Sequence, residues 1–285
     1  MRQASPLRYP GGKSSMFGLL RRIRQINKLG DRATAEPFAG GAGASLSLLF
    51  QEETPDIAIN DADPAIHGFW WSLINKPRQL EDMVRGANVT MAEWYRQRDI
   101  YRSSRRVSHL RRGFAAFYLN RCNRSGIIVN GGPIGGIEQK GEWKLGARFN
   151  RSELAERCAR VSVYKDRISV SDLDGIEFVR NRDTNRTFLF VDPPYFVKGP
   201  TLYLNSLNND YHERLADTLK GLSNAAWVLT YDDCAEVRRL YKGWTTIKPF
   251  SLRYNAAERR YGKEVLIVPR WMNLPSGQDS EAILW

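Results

Sequence analysis

The sequence has little that would place it in a membrane or in an oxidising compartment. No stretch reaches the roughly 18 consecutive apolar residues that a membrane-spanning helix needs. The opening residues, MRQASPLRYPGGK, contain no apolar core of the kind found in signal peptides. Cys122, Cys158 and Cys234 lie far apart and form no CxxC pair. These absences argue against a disulfide framework and a zinc site, and they favour a protein of the reducing cytoplasm.

Histidine is also scarce, and its positions carry no metal-binding pattern. His67, His109 and His212 are isolated from one another and lack the short spacings typical of metal ligands. The sequence shows no internal repeat and no low-complexity tract. We therefore expect a globular protein without a bound metal.

Positive charge, in contrast, is abundant and unevenly distributed. The 285 residues carry a formal net charge of +12. Between Arg96 and Arg180 there are 18 Lys or Arg residues against 9 Asp or Glu residues, a net charge of +9. A solvated basic surface would explain the charge alone, but aromatic and polar residues are interleaved with the arginines. The segment therefore favours a polyanionic partner such as a nucleic acid.

Short apolar strands alternate with amphipathic helices towards both ends of the chain. This alternation predicts a mostly parallel sheet covered by helices on both faces. TIKPFSLRY and KEVLIVPRW, near the C-terminus, predict a closing antiparallel pair. From about residue 77 to 165 the pattern changes to arginine-rich helices, a glycine-rich loop and a candidate β-hairpin that turns at Lys140–Gly141. The chain length suits one large domain with an insertion.

A glycine turn follows the first predicted strand, in EPFAGGAG at residues 36–43. Its glycines do not match the G-x-G-x-x-G dinucleotide fingerprint, and no phosphate-binding lysine of the Walker type follows. About twenty residues further on, a second strand ends at Asp61, where an acid can accept hydrogen bonds from a ribose. The turn and the acid together favour a nucleoside-bearing cofactor. Asp63, by comparison, is placed to cap the helix that begins at Pro64.

The most distinctive motif is DPPY, at residues 192–195, which ends the apolar strand TFLFV. Parallel strands present binding and catalytic groups at their carboxyl ends. Pro193 and Pro194 have a fixed φ and no N–H, so their carbonyls are held in place as acceptors. Asp192 and the Pro193 carbonyl then offer two acceptors beside the flat ring of Tyr195. This arrangement suits an exocyclic amino group on a planar ring, and holding both of its hydrogens would make the nitrogen a better nucleophile.

Six blocks of the sequence, in their order along the chain, resemble the Dam-like adenine-specific DNA methyltransferases. These enzymes use S-adenosylmethionine to methylate adenine N6. The blocks cover most of the chain, and the last of them is the weakest match. They are LRYPGGK (7–13), EPFAGGAG (36–43), INDADP (59–64), FYLNRCNRSG (117–126), FVDPPY (190–195) and YHERLADTL (211–219).

The resemblance implies S-adenosylmethionine as cofactor and assigns residues to it. The cofactor-binding positions are Tyr9, Lys13, Glu36, Phe38, Gly40, Asp61, Asp172 and Asp192. Within this set, Asp61 is expected to bind the ribose and Asp172 to lie near the adenine. The catalytic positions are Asp192, Pro193, Pro194 and Tyr195.

The resemblance also implies a division of the chain. Residues 1–69 and 166–285 would form the catalytic domain, an α/β fold with a Rossmann-like methyltransferase sheet that is mostly parallel and ends in an antiparallel pair. Residues 70–165 would form an inserted, mainly helical target-recognition domain that contains the candidate hairpin. The insertion coincides with the segment in which positive charge is concentrated.

The expected partner is double-stranded DNA, from which the target adenine would be flipped out. Candidate DNA-binding residues are Arg121, Asn123, Arg124, Arg148 and Asn150. The first three belong to a family-matching block, and the last two follow the candidate hairpin. Arginine suits guanine and asparagine suits adenine as base contacts. Because the glycine-rich recognition segment has a sequence of its own, the resemblance does not imply specificity for GATC. Nothing indicates an oligomer, so we expect a monomer.

Several alternatives stay open from the sequence. The same chemistry could act on cytosine N4 or on adenine in RNA, although cytosine enzymes more often have serine where Asp192 stands. A non-catalytic DNA-binding relative would keep the fold, but the presence of Asp192, Asp61 and Lys13 argues against it. Protection of host DNA, a restriction–modification system and a phage origin are equally compatible with the sequence.

Overall fold

A computed structural model of the chain describes residues 4–8, 13–103, 105–196, 208–252, 262–275 and 283–284. Eight strands in these residues form one sheet. They are β1 (Ala33–Glu36), β2 (Ile57–Asn60), β3 (Ile168–Ser171), β4 (Thr187–Val191), β5 (Ala226–Asp232), β6 (Thr245–Leu252), β7 (Gly262–Pro269) and β8 (Ile283–Leu284). Their order across the sheet is β3-β2-β1-β4-β5-β7-β6-β8.

Ten α-helices lie within the described residues. The first five are α1 (Phe17–Ile26), α2 (Gly43–Phe50), α3 (Pro64–Asn75), α4 (Pro77–Arg85) and α5 (Met91–Arg102). The others are α6 (His109–Cys122), α7 (Arg151–Ser162), α8 (Gly175–Asn181), α9 (Asn209–Gly221) and α10 (Ala235–Tyr241). Within the described ranges, no helix is both long enough and apolar enough to span a membrane.

The topology confirms the predicted α/β fold. Strands β3, β2, β1, β4 and β5 are parallel, whereas β7 pairs antiparallel with both β5 and β6. The antiparallel pair predicted near the C-terminus is therefore confirmed as β6 and β7. The strand order reverses between β1 and β4, and such a switch point opens a crevice at the carboxyl ends of the strands.

Strand β4 shows why the central strands are apolar throughout. All five of its residues are buried. Phe188 and Phe190 pack with residues of α1 and α2 on one face of the sheet, while Leu189 and Val191 pack with residues of α8 and α9 on the other. Alternate side chains point to opposite faces, so a strand covered on both sides needs apolar residues at every position.

The segment between β2 and β3 holds five helices, α3 to α7, and is packed onto the sheet. Helices α3 and α6 cross in close contact at Gly68 and Gly113: a Cβ added at Gly113 would lie 2.3 Å from the Phe69 backbone nitrogen. One hydrophobic cluster joins sheet residues such as Ile57 to helix residues such as Phe117. The boundary expected between residues 69 and 70 lies inside α3, and the insert shares a core with the sheet.

The predicted hairpin within the insert is wrong. Residues 138–150 form turns and a short 3-10 helix, Leu145–Arg148, instead of two paired strands. The side chain of Gln139 organises the loop, because its amide donates to the carbonyls of Ile134 and Gly136 and its oxygen accepts from the Leu145 N–H. Gly135 adopts φ 87°, a conformation unsuited to a strand. The β pairing found here in the described residues is an isolated bridge between Asn123 and Pro133.

Candidate active site

The carboxyl ends of the parallel strands bring several acids to one edge of the sheet. Glu36 is the last residue of β1, Asp61 follows β2, Asp192 follows β4, and Asp232 is the last residue of β5. Burial raises the pKa of Glu36, and the nearby charges of Asp192 and Asp61 raise it further. The sheet thus gathers carboxylates at the crevice where its strand order reverses.

The glycine turn and Asp61 form one hydrogen-bonded unit. The Gly40 N–H donates to Asp61 Oδ2 at 2.8 Å, and the Asp63 N–H donates to Asp61 Oδ1 at 2.9 Å. Gly40 adopts φ 46°, a left-handed conformation that glycine accepts at little cost. Its carbonyl accepts from Trp70 Nε1 at 2.9 Å. Trp70 is buried.

Two of the acids hold protons more tightly than ordinary carboxyl groups do. Burial raises the pKa of Glu36 to about 8, although the Ser45 hydroxyl, which donates to Glu36 Oε2 at 2.5 Å, opposes this rise. Burial and the charge of Asp63 raise the pKa of Asp61 to about 7, against the two backbone N–H donors. A cation placed among these groups would favour their ionised forms, so the pocket chemistry suits a positively charged ligand.

Asp192, the first residue of the DPPY motif, is oriented by a hydroxyl and an ammonium group. Thr230 Oγ1 donates to Asp192 Oδ1 at 2.6 Å, and Lys13 Nζ lies 3.3 Å from the same oxygen. Burial raises the pKa of Asp192, while the charge of Lys13 and the Thr230 hydrogen bond lower it. Both interactions are made with the same carboxylate oxygen, Oδ1, and hold it in place.

Tyr195 is anchored through its hydroxyl. The hydroxyl donates to Glu264 Oε1 at 2.6 Å and accepts from Lys13 Nζ at 2.5 Å. Lys13 is only 4% exposed, and its Nζ also lies 3.3 Å from Glu264 Oε2. The next residue, Phe196, donates its backbone N–H to Asp232 Oδ1 at 3.0 Å. The aromatic ring of the motif is therefore fixed at both the side chain and the backbone.

The remaining cofactor candidates lie around this centre in different ways. Phe38 packs closely over the start of α8, because a Cβ added at Gly175 would lie 2.4 Å from its ring. Asp172 follows β3 and is exposed, with Oδ2 3.8 Å from His67 Nδ1. Tyr9 lies outside the described residues. Lys13, expected at the cofactor, contacts the DPPY residues directly.

The five DNA candidates divide into buried and exposed residues. Arg121 is 4% exposed, and burial together with the charges of Arg157 and Arg8 lowers its pKa to about 9. Asn123 is 1% exposed; it accepts from Trp94 Nε1 and donates to the carbonyls of Ile127 and Ile128. The exposed candidates are Arg124, Arg148 and Asn150.

Two of the exposed candidates also have local structural contacts. Asn150 caps α7 by accepting from the Glu153 N–H at 3.1 Å, and Arg124 Nε donates to the Gly131 carbonyl at 3.0 Å. The charge of Arg148 lowers the pKa of Arg8, after burial. Arg8 belongs to the same family-matching block as Lys13. Arg148 of the insert therefore approaches the N-terminal segment to which Arg8 belongs.

A buried asparagine joins the N-terminal segment at Arg8 to the insert. Asn120, in α6, accepts from the Arg8 N–H at 2.7 Å and donates to the Arg8 carbonyl at 2.5 Å and to the Gly126 carbonyl at 2.9 Å. A Cβ added at Gly126 would lie 2.3 Å from the Arg8 carbonyl oxygen, so only glycine permits this approach. We call these three residues, Arg8, Asn120 and Gly126, the loop latch.

Sequence reasoning missed three residues that contact the DPPY strand end or the residue after it: Thr230, Asp232 and Glu264. Thr230 and Asp232 had a usable signal, since they end the apolar strand of AAWVLTYDD and such ends carry functional groups. Glu264 had none, because it stands near the start of an antiparallel strand. Within the described residues, no group of three or more His, Cys, Asp or Glu could hold a metal ion.

Comparison with known structures finds matches at low sequence identity and low TM-score. Sp1610 from Streptococcus pneumoniae is 8% identical over 91% of this chain and 73% of its own, with a TM-score of 0.39. TrmK from M. capricolum, in complex with S-adenosyl-homocysteine, is 12% identical over 90% of this chain and 73% of its own, with a TM-score of 0.36. A SAM-dependent methyltransferase from Agrobacterium tumefaciens is 10% identical over 89% and 61%, with a TM-score of 0.39.

No curated protein matches the chain. Comparison with protein families does find a match: residues 9–256 match the family described as D12 class N6 adenine-specific DNA methyltransferase. The matched range begins four residues before Lys13, includes the glycine turn, the helical insert and the DPPY motif, and ends four residues after β6. The resemblance found in the sequence is confirmed, and the chain belongs to the D12 class of N6 adenine-specific DNA methyltransferases.

Proposed function

We propose that this protein is a site-specific DNA adenine methyltransferase that uses S-adenosylmethionine to methylate N6 of a flipped-out adenine. The observation that carries the proposal is the DPPY strand end. There Asp192 is held by Thr230 and Lys13, and the hydroxyl of Tyr195 is held by Glu264 and Lys13. Such an anchored carboxylate beside an anchored aromatic ring suits an amino group on a planar base.

The acids at the neighbouring strand ends fit the cofactor. When bound, S-adenosylmethionine supplies a methyl group carried on a positively charged sulfur. Glu36, with its pKa raised to about 8, would ionise towards such a cation and attract it. Asp61, already oriented by the Gly40 and Asp63 N–H groups, would accept from ribose hydroxyls.

The DPPY residues would prepare the adenine for attack. A base inside a duplex hides its face, so flipping it out costs a few kcal/mol before Tyr195 can stack on it. Asp192 and the Pro193 carbonyl would accept the two N6 hydrogens. This grip favours a pyramidal nitrogen with a localised lone pair, and it stabilises the positive charge that develops during attack. Asp192 would also accept the proton that the methylated nitrogen loses, since burial raises its pKa.

The insert supports DNA as the substrate. The segment of residues 96–180, most of which lies in the insert, carries a net charge of +9, and Arg124 and Arg148 are exposed on it. Phosphate contacts of this kind release counterions, so binding to DNA is expected to weaken steeply as salt rises. Arg121 is buried, so it would add positive charge beneath the DNA-binding surface without touching a base.

Substitution of Asp192 tests the proposed chemistry. Asp192→Ala removes one acceptor of the amine grip, and we expect methyl transfer to fall at least about 10²-fold while S-adenosylmethionine still binds. Transfer of a labelled methyl group to DNA gives the rate, and titration calorimetry gives the cofactor affinity. Asp217→Ala, an exposed acid on α9, is the matched control and should behave as wild type. Full activity of Asp192→Ala would refute the assignment.

The modified base can be identified directly. Single-molecule sequencing of DNA from cells that express the protein reports the base and its sequence context together. We expect N6-methyladenine in a defined context. N4-methylcytosine in the DNA, or methylated adenine in RNA alone, would contradict the proposed substrate.

A further inference from the structure

Glu264 is a buried acid of the catalytic centre to which the mechanism above assigns no chemical role. It is 2% exposed and lies near the start of β7. Because β7 runs antiparallel to β5, its first residues reach the edge where β4 and β5 end. Glu264 pairs there with Asp232 across the sheet, and it contacts both Tyr195 and Lys13.

The charged groups around Lys13 give the first reason to assign Glu264 a role. Lys13 lies between two carboxylates, 3.3 Å from Asp192 Oδ1 and 3.3 Å from Glu264 Oε2. Without Glu264, Lys13 and Asp192 would form a neutral pair, and the ammonium group would draw the electron density of Asp192 towards itself. Glu264 Oε2 lies equally close to that ammonium group, so the charge of Lys13 is divided between two carboxyl groups instead of facing Asp192 alone. Charges interact strongly in a buried site, where water screens them little.

The orientation of Tyr195 is the second argument. Its hydroxyl donates to Glu264 Oε1 at 2.6 Å, and the ring follows two prolines that restrict the backbone. Because a phenolic O–H bond prefers the plane of its ring, this hydrogen bond limits rotation of the Tyr195 ring. Glu264 therefore helps to fix the surface on which a base would stack.

We propose that Glu264 is a positioning residue for methyl transfer. It shares the charge of Lys13, which leaves Asp192 negatively charged towards the amine, and it fixes the plane of Tyr195. The proposal rests on the proposed function and adds to it a residue from the closing antiparallel strands. It assigns Glu264 an effect on the rate of transfer and none on the binding of cofactor or DNA.

Two substitutions separate the charge of Glu264 from its shape. Glu264→Gln keeps the length and an oxygen for the Tyr195 hydroxyl but removes the charge. Glu264→Asp keeps the charge but shortens the side chain. The charge argument predicts that the Gln variant loses about 100-fold in kcat, with KM for both substrates within about threefold of wild type. It also predicts that the Asp variant keeps a higher kcat than the Gln variant.

The matched control is Glu53→Gln. Glu53 also forms an ion pair, with its Oε1 2.6 Å from Arg21 Nε, but it follows α2 at the amino-terminal edge of the sheet. We expect this control to retain wild-type kcat. Thermal unfolding of every variant checks that each is folded at the assay temperature.

The outcomes separate the two proposals. If the wild type transfers no methyl group to DNA, the proposed function fails and the role of Glu264 fails with it. If the wild type is active, the role of Glu264 alone is overturned by a Gln variant within about threefold of wild-type kcat, by a Gln variant faster than the Asp variant, or by a change confined to KM. If the Gln variant does not fold, the Asp variant decides: less than about one tenth of wild-type kcat overturns the proposal.

Discussion

The loop latch should couple the stability of the insert to the position of Lys13. Asn120 is fully buried and makes three hydrogen bonds to the backbone of Arg8 and Gly126. Arg8 stands five residues before Lys13, which contacts Asp192 and Tyr195. Asn120→Ala removes all three bonds. Each contributes about 1 kcal/mol net, so the free energy of unfolding should fall by about 3 kcal/mol.

Chemical denaturation followed by circular dichroism measures this loss. Asn75→Ala is the matched control, because Asn75 makes an exposed hydrogen bond to the Trp71 carbonyl and should cost no more than about 0.5 kcal/mol. Under conditions where Asn120→Ala remains folded, methyl transfer should also be slower, since Arg8, five residues before Lys13, is no longer held. A loss of stability equal to that of Asn75→Ala would refute the reasoning.

A glycine substitution tests the same latch from its other side. Gly126→Ala places a Cβ 2.3 Å from the Arg8 carbonyl oxygen in a residue with φ 76°. Gly136→Ala is the matched control, because Gly136 has φ 78° and open space around the added Cβ. Both variants bear the strain of a left-handed alanine, about 1 kcal/mol. Greater destabilisation of Gly126→Ala isolates the clash with Arg8, and equal values for the two would contradict it.

Two further predictions concern pH and DNA binding. The pKa of Glu36 is raised from 4.5 to about 8, so between these pH values the folded protein keeps a proton that the unfolded chain releases. The free energy of unfolding should therefore fall as the pH rises through this range, by up to about 1.4 kcal/mol per pH unit. Glu36→Gln should flatten this slope in denaturation curves at several pH values, and an unchanged slope would contradict the assignment. Trp143 is 62% exposed on the loop of the insert, and Trp271 is 58% exposed outside it. Trp143→Ala should weaken DNA binding about fivefold or more, because contact with bases is lost, whereas Trp271→Ala should leave it unchanged. Fluorescence anisotropy measures both affinities. Equal affinities of the two variants for DNA would exclude Trp143 from the interface.

Much of the candidate site could be predicted because its residues stand at the ends of parallel strands. Asp61 and Asp192 follow apolar strands directly, and strand order alone brings such ends to one edge. The hairpin prediction failed because apolar and polar residues around Lys140 resemble two short strands, while Gln139 and the glycines stabilise a compact loop. Asn123 was expected at DNA from its block, and the structure places it in the core, bonded to Trp94.

By itself, the sequence determined the family, the parallel sheet and the DPPY strand end, since these depend on local patterns and on short spacings. Only the tertiary structure decided which distant groups complete the centre. Glu264 meets Tyr195 across 69 residues, and Asn120 meets Arg8 across 112 residues. Neither pair has a local signal, because the antiparallel pairing of β7 and the contact of α6 with the N-terminal segment, rather than neighbouring sequence, bring the two partners together.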